Sequence, residues 1–356
     1  MTSLEQRNRK IIDAIIEKAA AVCPGSLALI AVGGSFATGD IHEKSDLDLL
    51  ILINDERGYQ LAHTFIQDDL GVGHDLYCTT WDSLREDAQY PHPHIAKLMD
   101  SIVVWHADEK YLSELEALRA RARTVLTSPL SEADYEKAAS QLRMAEGCLT
   151  DALTADNHSD ILNAAGGVIY YTENAVALLN KRYFRKSVRR VYDELNAMPL
   201  RPANLTGLIE SVVSAESDET LKESSLLLIR EVRRCFHEVR RMFARAKREP
   251  DADALRGTYE EMFSNWRNKM FLAAQENNRH LAFMSMISMN AMLSDISEET
   301  ETGGIDVLGG YNPRDLTKTA QSFDEALSQY RRLYKQAALP ENRYPDIDAF
   351  IETYRQ

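Results

Sequence analysis

Asp46 and Asp48, which open the run DLDLLILI, are the side chains of this 356-residue sequence best spaced to do chemistry. Side chains alternate along a strand, so these two carboxylates leave one face about 7 Å apart along the chain, with Leu47, Leu49 and Ile51 on the other. Held that close, they repel unless a divalent cation lies between them, and an all-oxygen pair suits Mg²⁺. Upstream, Gly33-Gly34-Ser35 follows the apolar run LALIAV. Glycines there let a ligand approach the backbone, and a helix beginning at that turn would aim N–H groups and its positive dipole at phosphate. The Ser35 hydroxyl adds a donor. The plainer reading, a turn and a solvated strand edge, leaves the wholly apolar continuation LLILI unexplained.

The elements that must carry these residues follow from periodicity. Apolar positions at helical spacing predict a helix over 4–22, ended at Cys23-Pro24-Gly25. Strands are expected at 27–32, 46–53, 74–80 and 101–105, with helices near 58–70, 82–88 and 109–125. This alternation predicts an α/β-type N-terminal domain with a mixed sheet. Beyond Ser128-Pro129 only helical periodicity remains, carried by 131–153, 162–184 and 225–247 and then by segments near 257–275, 278–294, 315–337 and 346–354. The fold class expected is therefore α+β, a mixed-sheet domain plus a large all-α C-terminal region. Its expected divisions are 1–128, 129–250 and 251–356, the last either separate or continuous with the second. The loop EETETGGIDVLGGYNPRD is long enough to suit a lid.

Gly34-Ser35, three residues, Gly39, five residues, then Ser45-Asp46-Leu47-Asp48 resembles the signature of the polymerase-beta-like nucleotidyltransferase superfamily. The resemblance implies a third carboxylate on a neighbouring strand, matched here by Asp75 in GHDLYC, with Asp68 and Asp82 as rivals. It also implies two Mg²⁺ ions, with Asp46 and Asp48 touching both and Asp75 completing one site. Gly33, Gly34, Ser35 and Ser45 would hold the nucleotide. The reaction implied moves a nucleoside monophosphate from an NTP, with ATP as the default donor, to a hydroxyl, releasing pyrophosphate. The helical region looks like the substrate-binding domains of bacterial members such as the kanamycin-type aminoglycoside nucleotidyltransferases. Some antibiotic-modifying members take a general base from that region, and Glu146 and Glu173 are its candidates here. A Glu among small and apolar residues is more often paired with Arg or Lys.

Composition narrows the partners. The chain carries 41 Lys and Arg against 55 Asp and Glu, a net charge of −14, which opposes a protein that coats phosphate backbones and disfavours nucleic acid as acceptor. A small, hydroxylated and cationic acceptor fits better. Residues 131–250 are balanced, 18 basic against 18 acidic. Within them KRYFRKSVRR (181–190) interleaves cations and aromatics; a triphosphate contact competes there with a solvated helix face partnered by Glu194, and the second reading is preferred. The arginines of 230–248 are read as packing against acidic neighbours. His42 and His74 lack metal-ligand spacing. Four scattered cysteines favour reduced thiols, and no signal-peptide pattern or membrane-length apolar run appears, so a cytoplasmic setting is expected. Two other classes stay open: an enzyme that nucleotidylates a protein, and a noncatalytic module that senses nucleotide.

Overall fold

The computed structural model describes residues 3–186, 188–244 and 246–356. The chain divides into two compact units, the first ending at Ala244 and the second running from residue 245. The first begins α1 (Ser3–Val22), β1 (Leu27–Val32), α2 (Gly34–Thr38), β2 (Leu49–Ile53), β3 (His63–Gln67), β4 (Val72–Leu76) and β5 (Cys78–Thr80). It continues α3 (Trp81–Asp87), α4 (Ala96–Asp100), β6 (Ile102–His106), α5 (Glu109–Thr127), α6 (Glu132–Thr154), α7 (His158–Leu179), α8 (Val191–Asn196), α9 (Leu205–Val213) and α10 (Asp218–Arg240).

The main sheet has the order β5-β2-β1-β6, with β2 parallel to β5 and β1 antiparallel to both β2 and β6. It is mixed, as expected. Every residue of β2 is buried because its two faces are both covered. Leu49, Ile51 and Ile53 pack with Ile12 and Ile15 of α1, whereas Leu50 and Leu52 join the helices on the other side. Burying each of these side chains contributes roughly 1.5–3 kcal/mol. This two-sided anchoring makes β2 a rigid stem for the aspartates that precede it.

Three sequence expectations change in this unit. Residues 58–70 form no α-helix: a 3₁₀ turn (Glu56–Leu61) is followed by β3, which pairs with β4 in a separate two-stranded ribbon. Gly71, at φ +61, makes the tight hairpin turn that helical periodicity alone overlooked. The expected strand 74–80 is broken at Tyr77, its first half bonded to β3 and its second to β2. The boundary at 128 does not separate two cores. One apolar cluster runs from Leu50 and Leu52 through Leu98 and Leu115 to Leu142, Val168, Leu178 and Val232.

Helix α7 stops at Leu179, five residues short of the expected end. Lys181 takes a left-handed backbone (φ +52), and its buried ammonium bonds Asp134 at 3.0 Å and the Ser128 hydroxyl at 2.6 Å. That pin turns the chain out of the helix: 182–186 follow as an irregular segment, and Val188–Arg190 form a 3₁₀ turn.

The second unit holds α11 (Ala252–Leu255), α12 (Thr258–Glu261), α13 (Asn268–Gln275), α14 (Arg279–Glu299), α15 (Leu316–Gln336) and α16 (Ile347–Tyr354). A π-helical stretch, Met262–Arg267, joins α12 to α13. Its own core includes Met270, Met286, Phe323 and Tyr330. The glycine-rich loop before α15 is anchored, not a free lid. Val307 is buried in the core, Asp306 accepts the Leu308 and Gly309 N–H groups, and the Asn312 N–H donates to Thr319. Among the described residues no helix is long and apolar enough to cross a membrane.

Candidate active site

Strand β1 runs into Gly33, whose N–H donates to the Asp48 carbonyl at 2.8 Å and so carries the β1–β2 pairing one step past the strand ends. Gly34 sits at φ +57, and a Cβ there would overlap the Asp48 carboxylate. Only glycine permits both the backbone and the contact. Helix α2 follows at once and presents Ser35, whose Oγ is buried without a hydrogen-bond partner. Gly39 (φ +75) ends the helix, and a turn closes as the His42 N–H donates to Ser45 Oγ and the Ser45 N–H to the His42 carbonyl, both at 2.9 Å. The Ser45 hydroxyl is thus engaged in shaping the loop.

Beyond the turn, burial alternates: Asp46 is exposed, Leu47 buried, Asp48 half-buried and Leu49 buried. The ladder starts only at Leu49, yet the alternation expected for Asp46 and Asp48 holds. Arg7 of α1 braces them from behind, its Nη2 donating to the Ser45 carbonyl at 2.9 Å. Burial lowers the pKa of that guanidinium and the nearby Asp46 opposes the shift. The Asp48 carboxyl is pushed up, first by burial and then by Asp46, with Lys97 pulling the other way.

These groups line a cavity of about 360 Å³ whose walls are Gly34, Ser35 and Thr38, the 40–48 loop, Ala96 and Lys97 of α4, and Phe184, Arg185, Lys186 and Arg189. Acid and base meet in it. Arg189 and Arg190 both bond Asp40, at 2.5 and 3.4 Å, and Arg185 bonds Asp100 at 3.1 Å. Lys97 and Lys186 make no ion pair among the described residues, although the Lys97 ammonium lies 5.7 Å above the Tyr77 ring. Glu194 does meet the basic segment, but by accepting the backbone N–H groups of Arg185 and Lys186. Its carboxylate orients the turn, while the side chains of Arg185 and Arg189 pair with Asp100 and Asp40.

Of the residues expected from sequence, Gly34, Ser35, Ser45, Asp46 and Asp48 come together here, and Gly33 supports them from the strand. Asp75 does not line the cavity. It is an exposed residue of β4, its carboxylate accepting from the Thr64 hydroxyl at 3.0 Å across the ribbon. Because β4 pairs with β3, it is not held against β2. Among the described residues no group of three or more His, Cys, Asp and Glu side chains is placed to hold a metal ion. The converging trio expected of Asp46, Asp48 and Asp75 is therefore corrected to a pair. Glu146 lies in a different groove, ion-paired with Arg233 at 3.1 Å. Glu173 sits on α7 outside the cavity lining, without an ion pair or hydrogen bond among the described residues, and burial pushes its carboxyl up to about 7.

The cations are what sequence reasoning missed. For Arg185, Lys186 and Arg189 the sequence favours a solvated helix face over a triphosphate contact, but the break at Lys181 ends the helix before them and they line the cavity. Arg7, Asp40 and Lys97 carry no local pattern that would single them out.

The cavity sets paired carboxylates beside a glycine-serine turn and cationic side chains, a lining suited to a phosphate-bearing ligand. Residues 9–121 match the family model described as Nucleotidyltransferase domain, and residues 147–239 the one described as KNTase C-terminal domain. The chain is a polymerase-beta-like nucleotidyltransferase whose catalytic domain is followed by a helical region of the kanamycin nucleotidyltransferase kind. Membership implies a nucleoside triphosphate, an acceptor and a divalent metal. A solved nucleotidyltransferase-like protein from Exiguobacterium sibiricum 255-15 aligns with 83% of this chain and 89% of its own, at 12% identity and a TM-score of 0.35. No curated protein matches the sequence.

Proposed function

We propose that the protein transfers a nucleoside monophosphate, AMP from ATP, to a hydroxyl of a small cationic acceptor of the aminoglycoside type, with release of pyrophosphate. The observation that carries this reading is the convergence of Asp46, Asp48 and the unpartnered Ser35 hydroxyl with cationic side chains in one cavity.

The residues fit a magnesium–triphosphate ligand. Asp48 is strained toward its neutral form by burial and by Asp46, a cost that a bound cation relieves. Magnesium takes one or two protein carboxylates and completes its shell with water and substrate phosphate, so the Asp46–Asp48 pair suffices to hold it. When bound, the metal neutralises charge on the triphosphate. The chain's own residues do the rest. Gly34 lets the phosphates approach the backbone, and Ser35 donates a hydrogen bond to them. Lys97 and Lys186 offer unpaired positive charge to the leaving pyrophosphate, so catalysis rests on positioning and electrostatics. Neither general-base candidate lines the cavity: Glu146 is held by Arg233 in another groove, and Glu173 lies on α7 outside the lining.

The acceptor class rests on the match to the KNTase C-terminal domain and on the chain's acidity, which attracts a polycation. The test is incubation with each labelled NTP, Mg²⁺ and a panel of hydroxylated acceptors, followed by separation of small molecules from protein. Label on an aminoglycoside-type compound supports the proposal. Label confined to macromolecules contradicts the acceptor class, and no label with any NTP contradicts the reaction.

A further inference from the structure

Among the described residues, Phe184 is the one Phe, Tyr or Trp side chain lining the cavity. It comes from the basic segment, one residue before Arg185, so the chain that brings the cations also brings an apolar ring. Its position is fixed from two directions. The Phe184 N–H donates to the Pro93 carbonyl at 2.9 Å, and the His94 ring lies behind it at 5.7 Å with a 31° tilt. His94 in turn stacks on Tyr170 at 5.7 Å, the planes only 2° apart, and its Nε2 bonds the buried Asn174 amide oxygen at 2.9 Å. Tyr170, His94 and Phe184 thus form a column of rings ending at the cavity wall.

A row of charged groups needs no aromatic ring to bind a triphosphate, and the part of this half-buried ring that faces the cavity is costly to leave against water. A nucleoside offers the matching surface: every base has a flat π-face, and stacking on an aromatic side chain does not depend on the base's hydrogen-bonding edge. We propose that Phe184 is the stacking platform for the nucleobase, with His94 and Tyr170 as positioning residues behind it. This rests on the nucleotide reading above and adds how the base is held. Phenylalanine has no donor or acceptor, so the platform separates large bases from small ones and treats adenine and guanine alike.

The test compares equilibrium binding of ATP, GTP, CTP and inorganic tripolyphosphate to the full-length protein without acceptor. Wild type is expected to bind both purine nucleotides more tightly than CTP. Phe184→Ala is expected to weaken ATP and GTP by about 5- to 150-fold, the range for loss of one base–aromatic stack, while tripolyphosphate binding stays within ~2-fold. Phe184→Leu, which keeps apolar bulk to support the fold, should lose the purine preference too, and Phe184→Tyr should restore it. Equal weakening of ATP and tripolyphosphate would mean the ring only supports the loop, and would overturn the proposal, as would unchanged ATP binding in Phe184→Ala. Wild type that binds tripolyphosphate but no nucleotide would overturn this proposal and the nucleotide reading together. Wild type that binds ATP unaffected by either substitution overturns the platform alone.

Discussion

Glu173 offers a test of the structure that needs no substrate. Its carboxyl is pushed from an ordinary value of 4.5 to about 7 by burial in α7. The folded protein therefore holds this proton more tightly than the unfolded chain does. The sign follows: the contribution to stability is fully present below pH 4.5, and is lost as the pH rises through about 7. At about 1.4 kcal/mol for each tenfold change in proton affinity, the cost of ionising Glu173 in place comes to ~3 kcal/mol. Glu173→Gln keeps the size and polarity of the neutral acid and removes the titration. The assay is urea unfolding of wild type and variant from pH 4.5 to 8.5. The variant should match wild type at the acid end and exceed it by ~2–3 kcal/mol at pH 8. Other titrating groups are common to both proteins and cancel in the difference. A difference that stays flat across this range would show that Glu173 ionises freely and would contradict its burial in α7.

Gly34→Ala should lose at least ~1–2 kcal/mol to left-handed strain and also displace the Asp48 carboxylate, so pyrophosphate release should fall far more than stability. Gly39→Ala is its control: φ is similarly positive but the added methyl meets open space, so thermal unfolding should record a like loss while activity survives. Equal activity in the two variants would contradict the close approach of Gly34 to Asp48. Lys181→Ala leaves the half-buried Asp134 with only its Ser131 partners and should cost about 1–3 kcal/mol by chemical denaturation. A loss typical of an exposed pair would show that Lys181 does not pin the exit from α7.

What could be read from sequence divides by distance along the chain. Gly34, Ser35, Asp46 and Asp48 lie in one short stretch, and their placement in one cavity depends on local alternation and a tight turn, both of which leave a pattern in the residues. β2 was legible for the same reason, since a strand covered on both faces must be apolar throughout. Asp75 was not, because a strand's composition does not say which neighbour it pairs with, and β4 chose β3 over β2. The bond of Arg189 to Asp40 joins residues far apart in sequence, so nothing near either one announces it. Glu194 shows a subtler failure. The sequence pairs it with the basic stretch, but it meets the backbone N–H groups there, while the Arg185 and Arg189 side chains pair with Asp100 and Asp40.

The central claim is that Asp46 and Asp48 together hold the divalent metal that a nucleoside triphosphate brings to Ser35. The most direct measurement is Mg²⁺-dependent pyrophosphate release from ATP by wild type, Asp46→Asn and Asp48→Asn, each first shown to unfold at a similar temperature. Release should be abolished in both variants and restored in neither by raising Mg²⁺. Wild-type rates in either variant would contradict the account.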